Sequence, residues 1–177
     1  MSATWVALLR GINVGRGKRI AMADLRGMLE GLGYADVRTH GQSGNVAFTF
    51  RQSKADSLEQ QISTSSRTDF GMDVVVFVRT AAEFAAAFDA NPFVARGVAS
   101  NELPAAFLSA EPSTATAAGI DRKAHLPDEF AFGKGVVYLR LPHGIMGSTL
   151  PDWDRVLGVR ATQRNWNTTT RLRQLIR

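Results

Sequence analysis

Ser43-Gly44-Asn45-Val46-Ala47-Phe48-Thr49-Phe50 decides the reading of this chain. Ser43-Gly44-Asn45 is turn chemistry. Val46, Phe48 and Phe50 then alternate with Ala47 and Thr49, which is the period of a strand. Just upstream, Val37 to Thr39 gives a short strand, so the turn joins two strands. Further back, Met22, Leu25, Met28, Leu29 and Leu32 recur at helical spacing, and Gly33 can close that helix. Before it stand a glycine-rich segment, Gly11 to Arg19, and a β-rich run, Thr4 to Arg10. Downstream, Leu58 and Ile62 share one face of a polar helix ending near Gly71, and Asp73 to Arg79 reads as a buried-type strand. The order β-α-β-β-α-β is that of a ferredoxin-like unit. It predicts a four-stranded antiparallel sheet with both helices on one face and right-handed crossovers.

The remainder repeats this order more weakly. Thr80 and Glu83 form a capping-box pattern that opens a helix carrying Phe84 and Phe88. Asn91-Pro92 stops it, and residues 91–103 read as a connector. Ala105 to Ser109 is a strand and Ser113 to Gly119 a small-residue helix. Glu129 to Phe132 and Val136 to Leu141 form a hairpin around Gly133-Lys134-Gly135. Leu150 to Leu157 is a short helix with Pro151 at its start, and Arg160 to Arg164 is a strand. The fold class expected is α+β. A ferredoxin-like half covers 1–80, a helix and connector 81–102, and a second, smaller βαββαβ-like half with a C-terminal helix 103–177.

Composition narrows the chemistry. With 45% hydrophobic and 21% charged residues, the chain is of ordinary globular make-up. It contains no cysteine, which excludes disulfides and thiolate metal sites. The apolar run Trp5 to Leu9 is too short for a signal peptide or a membrane span, so a cytoplasmic location and no membrane partner are expected. The formal net charge is +5. From Arg155 onward there are six arginines (Arg155, Arg160, Arg164, Arg171, Arg173, Arg177) and no acid. A second basic run, Arg10, Arg16, Lys18 and Arg19, meets no acid until Asp24. Such localised charge attracts phosphate-bearing small molecules, nucleic acid or acidic partners. A merely solvated basic face is the plainer alternative.

Gly11-Ile12-Asn13-Val14-Gly15-Arg16-Gly17-Lys18-Arg19 lies between a strand and a helix, where backbone N–H groups can face an anion. It is not a Walker loop: position 12 is isoleucine where that loop needs glycine, and Arg19 stands where it needs a hydroxyl. No G-x-G-x-x-G occurs either. The alternative is a tight loop whose glycines supply positive φ. An RNA-recognition sheet would need aromatic side chains where Asn45 and Ala47 stand. In the C-terminal run Thr162-Gln163-Arg164-Asn165-Trp166-Asn167-Thr168, Asn167 or Thr168 can cap a last helix whose apolar face is Leu172, Leu175 and Ile176. Trp166 reads as a core anchor, and Arg164 with Asn165 could grip a phosphate or carboxylate. His40, His125 and His143 lack metal-ligand spacing, and no cofactor is implied. Ser43 is in no nucleophile elbow, and the acids show no paired-carboxylate pattern. His40 is the only general-base candidate, and no catalytic residue is assigned.

Three segments together carry a resemblance: Leu8-Leu9-Arg10-Gly11-Ile12-Asn13-Val14-Gly15, Gln42-Ser43-Gly44-Asn45-Val46 and Arg164-Asn165-Trp166-Asn167-Thr168. In this order they resemble the bacterial domain-of-unknown-function family sixteen-ninety-seven across nearly the whole chain. The resemblance implies a small α+β protein of ferredoxin-like character, with no established reaction and no catalytic residues to carry over. Family members usually read Gly-Gly-Lys where this chain has Gly15-Arg16-Gly17, proline in place of Ala21, and tyrosine in place of His40. The last departure argues against His40 as a base common to the family.

The residues then yield one expectation. Arg10, Asn13, Gly15, Lys18, Ser43, Asn45, Arg164, Asn165 and Asn167 gather in a polar, basic cleft between the halves. The cleft binds an anionic ligand: a nucleotide, a sugar phosphate or nucleic-acid backbone. Two alternatives stand beside it, a cofactor-free enzyme acting on such a ligand, and an interaction module whose Asn/Arg motifs only fix loops. Neither assigns an oligomeric state.

Overall fold

The computed structural model describes all residues of 1–177 except Lys18 and Gln52. The chain divides into two compact units, Met1–Ala85 with Thr170–Arg177, and Ala86–Thr169.

The first unit contains β1 (Ser2–Arg10), α1 (Met22–Gly31), β2 (Ala35–His40), β3 (Asn45–Arg51), α2 (Ala55–Phe70) and β4 (Val75–Thr80). Its strands run in the order β2-β3-β1-β4 with every neighbour antiparallel, the ferredoxin-like arrangement. Trp5, Ala7 and Leu9 of β1 join Val46, Phe48, Val76 and Val78 in one core with Leu25 and Leu29 of α1 and Leu58 and Ile62 of α2. Both helices therefore cover the same face of the sheet. The alternate residues Val6, Leu8, Ala47 and Phe77 are buried as well. Burial on both faces is why β1 and β4 read as unbroken apolar runs rather than as alternation. β2 is longer than its apolar residues indicate, and its register is irregular between Ala35 and Arg38, where Asp36 has φ 51.

β4 lies at an edge of this sheet, and an edge donor needs a partner. The Val78 N–H finds one in the Glu59 carboxylate of α2, at 2.7 Å. Burial holds the Glu59 carboxyl above its ordinary range. The Val78 N–H and Arg79, 4.0 Å away, pull the other way.

The second unit carries β5 (Ala105–Leu108), α5 (Thr114–Ala118), β6 (Glu129–Gly133), β7 (Val136–Arg140), α6 (Trp153–Leu157) and β8 (Ala161–Arg164). Its strand order, β6-β7-β5-β8, repeats the permutation of the first sheet, again fully antiparallel. The weak second βαββαβ pattern is thus a real one. Ala106, Leu108, Val137 and Leu139 pack with Phe130, Trp153 and Leu157. Helix α3 (Ala81–Asp89) precedes it and opens on the expected capping box. The Thr80 N–H donates to the Glu83 carboxylate at 2.9 Å, and the Glu83 N–H donates to Thr80 Oγ1 at 3.1 Å. The connector is more ordered than its composition indicates. Asn91 Oδ1 accepts the Phe93 N–H at 3.0 Å and starts a one-turn helix, α4 (Pro92–Ala95). Asn91 therefore caps the next helix as well as following the last one.

Helix α7 (Trp166–Leu175) corrects an expectation. Its cap is Asn165, whose Oδ1 accepts the Thr168 N–H at 2.8 Å, and not Asn167 or Thr168. The helix begins at Trp166 because that indole is drawn into the interior. Trp166 is buried and stacks on Phe88 with ring centroids 4.8 Å apart. Among the described residues no helix is long and apolar enough to cross a membrane.

An ion-pair chain braces the outer strand of the second sheet. Glu129 takes both guanidinium nitrogens of Arg96, at 2.7 and 3.0 Å, and Arg140 at 2.7 Å. The Arg96 hydrogen bonds, opposed by partial burial and helped by Arg140, pull the Glu129 carboxyl down from 4.5 to about 2. Its folded-state pKa is depressed, so its contribution is full above the unfolded value of 4.5 and is lost as pH falls toward about 2. The Arg96 side chain is half exposed, so solvent screens the pair. Glu129→Gln is expected to cost about 1 kcal/mol at neutral pH and almost nothing near pH 2. Urea melts at both pH values check this. Equal losses at both would show that Glu129 acts by packing and not by charge.

Candidate functional site

Asn13 ties the segment that follows β1 back to Ile20, just before α1. Asn13 adopts the left-handed conformation, φ 58, which asparagine tolerates better than other side-chain-bearing residues. That turn aims its amide across the loop. Asn13 Oδ1 accepts the Ile20 N–H at 2.8 Å, while Nδ2 donates to the Ile20 carbonyl at 2.8 Å and to the Gln42 carbonyl at 2.7 Å. The first two bonds close the loop on itself. The third ties it to the β2–β3 turn. Gly11 and Gly15 have φ of 75 and 65, so the glycines do supply the positive φ that a tight loop needs.

The β2–β3 turn is fixed as firmly. Gly44 has φ 70, and a Cβ there would lie 2.6 Å from Leu9 Cβ and 2.8 Å from Ile12 Cδ1. Its carbonyl accepts the Leu9 N–H at 2.8 Å. Asn45, buried at the start of β3, donates from Nδ2 to the His40 carbonyl at 3.0 Å and so closes the turn. The register pairs Asn45 with Leu8. The end of β1 therefore lies beside the start of β3, as an antiparallel β1–β3 pair requires.

The structure brings together Arg10, Asn13, Ser43 and Asn45 at this end of the first sheet, and Gly15 follows Asn13 by two residues. Arg10, Gly15 and Ser43 are exposed, Asn13 is half-buried and Asn45 is buried. Lys18 lies outside the described residues. His40, the base candidate, is half-buried, and its carbonyl serves the turn. Arg164, Asn165 and Asn167 belong to the second unit. Arg164, on β8, donates to Thr162 Oγ1 at 2.8 Å and to the Gln163 carbonyl at 2.9 Å. Burial pushes its guanidinium down to about 10. Asn165 spends its side-chain oxygen on the α7 cap, and Asn167 is exposed.

Two further residues stand out in the loop, Arg16 and Arg19, both exposed. Arg19 donates only to the Gly15 carbonyl, at 3.3 Å, and Arg16 has no partner among the described residues. The acid-free run from Arg10 to Arg19 was the available signal for them. Motif reading favoured the asparagines instead, whose amides turn out to hold backbone. Among the described residues no group of three or more His, Asp or Glu could hold a metal ion.

Conserved bacterial protein SP0830 from Streptococcus pneumoniae has a similar structure, with a TM-score of 0.77 and 22% identity over 100% of both chains. At that identity the likeness shows a common fold. No curated protein matches the chain. The family model described as protein of unknown function (DUF1697) matches residues 2–138. That match takes in the Asn13 loop, the Gly44 turn and the start of the second sheet, and the chain belongs to this family.

Proposed function

We propose that the chain binds a phosphate-bearing ligand, a nucleotide, a sugar phosphate or nucleic-acid backbone, through the Gly11–Arg19 loop. One observation carries this reading: Arg16 and Arg19, on a segment tied back by Asn13, are exposed and have no acidic partner among the described residues. Holding a cation on a fixed loop lowers the ordering cost of binding. Arginine suits phosphate because its planar fork donates two parallel hydrogen bonds. Asn13, Gly15, Ser43 and Asn45 then shape the site, and Arg10 adds charge at its base.

The second reading is an interaction module whose motifs only fix loops. It is favoured by the amide of Asn13, the side-chain nitrogen of Asn45 and the side-chain oxygen of Asn165, all spent on backbone groups.

Fluorescence anisotropy of a labelled single-stranded oligonucleotide, titrated across salt concentrations, separates the two. Binding at low salt is expected to weaken as salt rises through counterion release. The double variant Arg16→Ala/Arg19→Ala should reduce the log–log salt slope by about 1.4, roughly 0.7 for each lost phosphate contact on a single strand. Absence of binding at low salt, with inorganic phosphate and nucleotides also silent, would sink the proposal and leave the interaction module. An unchanged slope in the double variant would move the contact away from this loop.

A further inference from the structure

The second unit holds a pocket of about 360 Å³ that the reading above does not use. That is near the lower end for small-molecule sites, which run from about 300 to 1,000 Å³. Its apolar lining includes Phe93 and Phe130, both buried, and Leu126, 64% exposed. Four charged groups line it: Arg96, Arg122, Asp128 and Glu129. Arg96 and Glu129 neutralise each other through two hydrogen bonds. Arg122 and Asp128 remain, and neither has an ion-pair partner among the described residues, not even the other.

Both are nevertheless held in place. Arg122 lies over the Phe130 ring, 4.5 Å from its centroid, and donates from one guanidinium nitrogen to the Phe130 carbonyl. Its remaining N–H groups have no protein acceptor among the described residues. Asp128 is 2% exposed, and its Oδ2 accepts the Thr149 N–H at 2.7 Å and the Thr149 hydroxyl at 3.3 Å. Its Oδ1 takes no hydrogen bond among the described residues. One oxygen of this carboxylate is thus spent on Thr149, and the other is left to accept from a ligand.

Two opposite charges that line one pocket, each tethered and neither paired with the other, call for a ligand carrying both charges. Arg122 stands on the Phe130 ring, and Asp128 is two residues before Phe130. A ligand that meets both charges inside a pocket of about 360 Å³ is small, such as a carboxylate and an ammonium joined by one carbon.

We infer that this pocket binds a free α-amino acid with an apolar side chain. Arg122 takes its carboxylate, Asp128 Oδ1 takes its ammonium, and Phe93, Phe130 and Leu126 take its side chain. The site is independent of the Gly11–Arg19 loop and stands or falls separately from it.

Isothermal titration of the full-length protein with L-phenylalanine tests the assignment. The controls are L-phenylalaninamide, which lacks the carboxylate, and N-acetyl-L-phenylalanine, which lacks the ammonium. Saturable binding of phenylalanine is expected, with each control at least about tenfold weaker. Arg122→Gln should weaken phenylalanine to the level of the amide and leave the amide unchanged. The control ligands keep the test decisive even if that variant folds poorly. Three results would overturn the inference. One is no heat from phenylalanine at about 10 mM, a concentration that reveals even millimolar affinity. Another is N-acetyl-phenylalanine binding as tightly as phenylalanine, which removes Asp128 from the site. The third is a folded Arg122→Gln protein that binds phenylalanine as before.

Discussion

Gly44→Ala is expected to destabilise the first unit by about 2–5 kcal/mol, a large share of the 5–15 kcal/mol typical of a folded protein. Two costs add. A side chain at φ 70 occupies the left-handed region, at roughly 1–2 kcal/mol. Its Cβ would also lie 2.6 Å from Leu9 Cβ and 2.8 Å from Ile12 Cδ1, both on fully buried residues. Forcing a methyl into such packing costs about 1–3 kcal/mol more. Gly41→Ala is the control. Gly41 has φ 63, yet nothing stands within 4 Å of its Cβ position. Only the conformational cost applies there, so about 1–2 kcal/mol is expected. Urea midpoints for the two variants measure the difference directly. Equal losses would mean that the close approach of the turn to Leu9 and Ile12 is relieved by a small shift, and that Gly44 is needed for its φ alone.

Much of this fold is legible because its signals are local. Alternation in β3, helical spacing in α1 and the apolar run of β4 each follow from which faces are buried, and together they fix the β-α-β-β-α-β order. The Thr80–Glu83 box is equally local, a bond between residues three apart. The asparagines are different. Asn13 reaches a carbonyl seven residues on and another twenty-nine residues on. Nothing in the sequence states that those carbonyls need a donor. Polar residues in loops read as ligand contacts until the backbone groups they serve are known, and each buried backbone group must be served. Asn165 shows the same thing on a smaller scale. The cap fell two or three residues earlier than expected because burying Trp166 sets where α7 begins. The Arg122–Asp128 pocket left no trace in the sequence. Its two charges are six residues apart across an irregular segment, and only the fold makes them face one space.

Asn13→Ala carries the other large effect. The substitution removes three hydrogen bonds at once, from Nδ2 to the Ile20 and Gln42 carbonyls and from the Ile20 N–H to Oδ1. Ile20 is 2% exposed, so water reaches its backbone poorly once the amide is gone. Unmet backbone groups there cost about 1–3 kcal/mol each when fully buried, and the Gln42 carbonyl is open to solvent, so a net loss of about 2–4 kcal/mol is expected. Asn13→Asp is the sharper probe. It keeps an acceptor for the Ile20 N–H but turns the two donor contacts into a carboxylate oxygen against two carbonyl oxygens near 2.8 and 2.7 Å. It should be at least as damaging as alanine at neutral pH and should recover in part in acid, as the carboxyl gains a proton and can donate again. Amide hydrogen exchange at Ile20 reads the same event locally, with protection falling in both variants while the β1–β3 amides stay protected. If Asn13→Ala melts with the parent and Ile20 keeps its protection, the loop is held by its glycine turns and not by the asparagine. Should the variant stay folded with a loosened loop, the Arg16/Arg19 contact predicts weaker oligonucleotide binding although no cation has been removed. That outcome ties the clamp to the proposed site, because a purely structural clamp leaves affinity per folded molecule where it was.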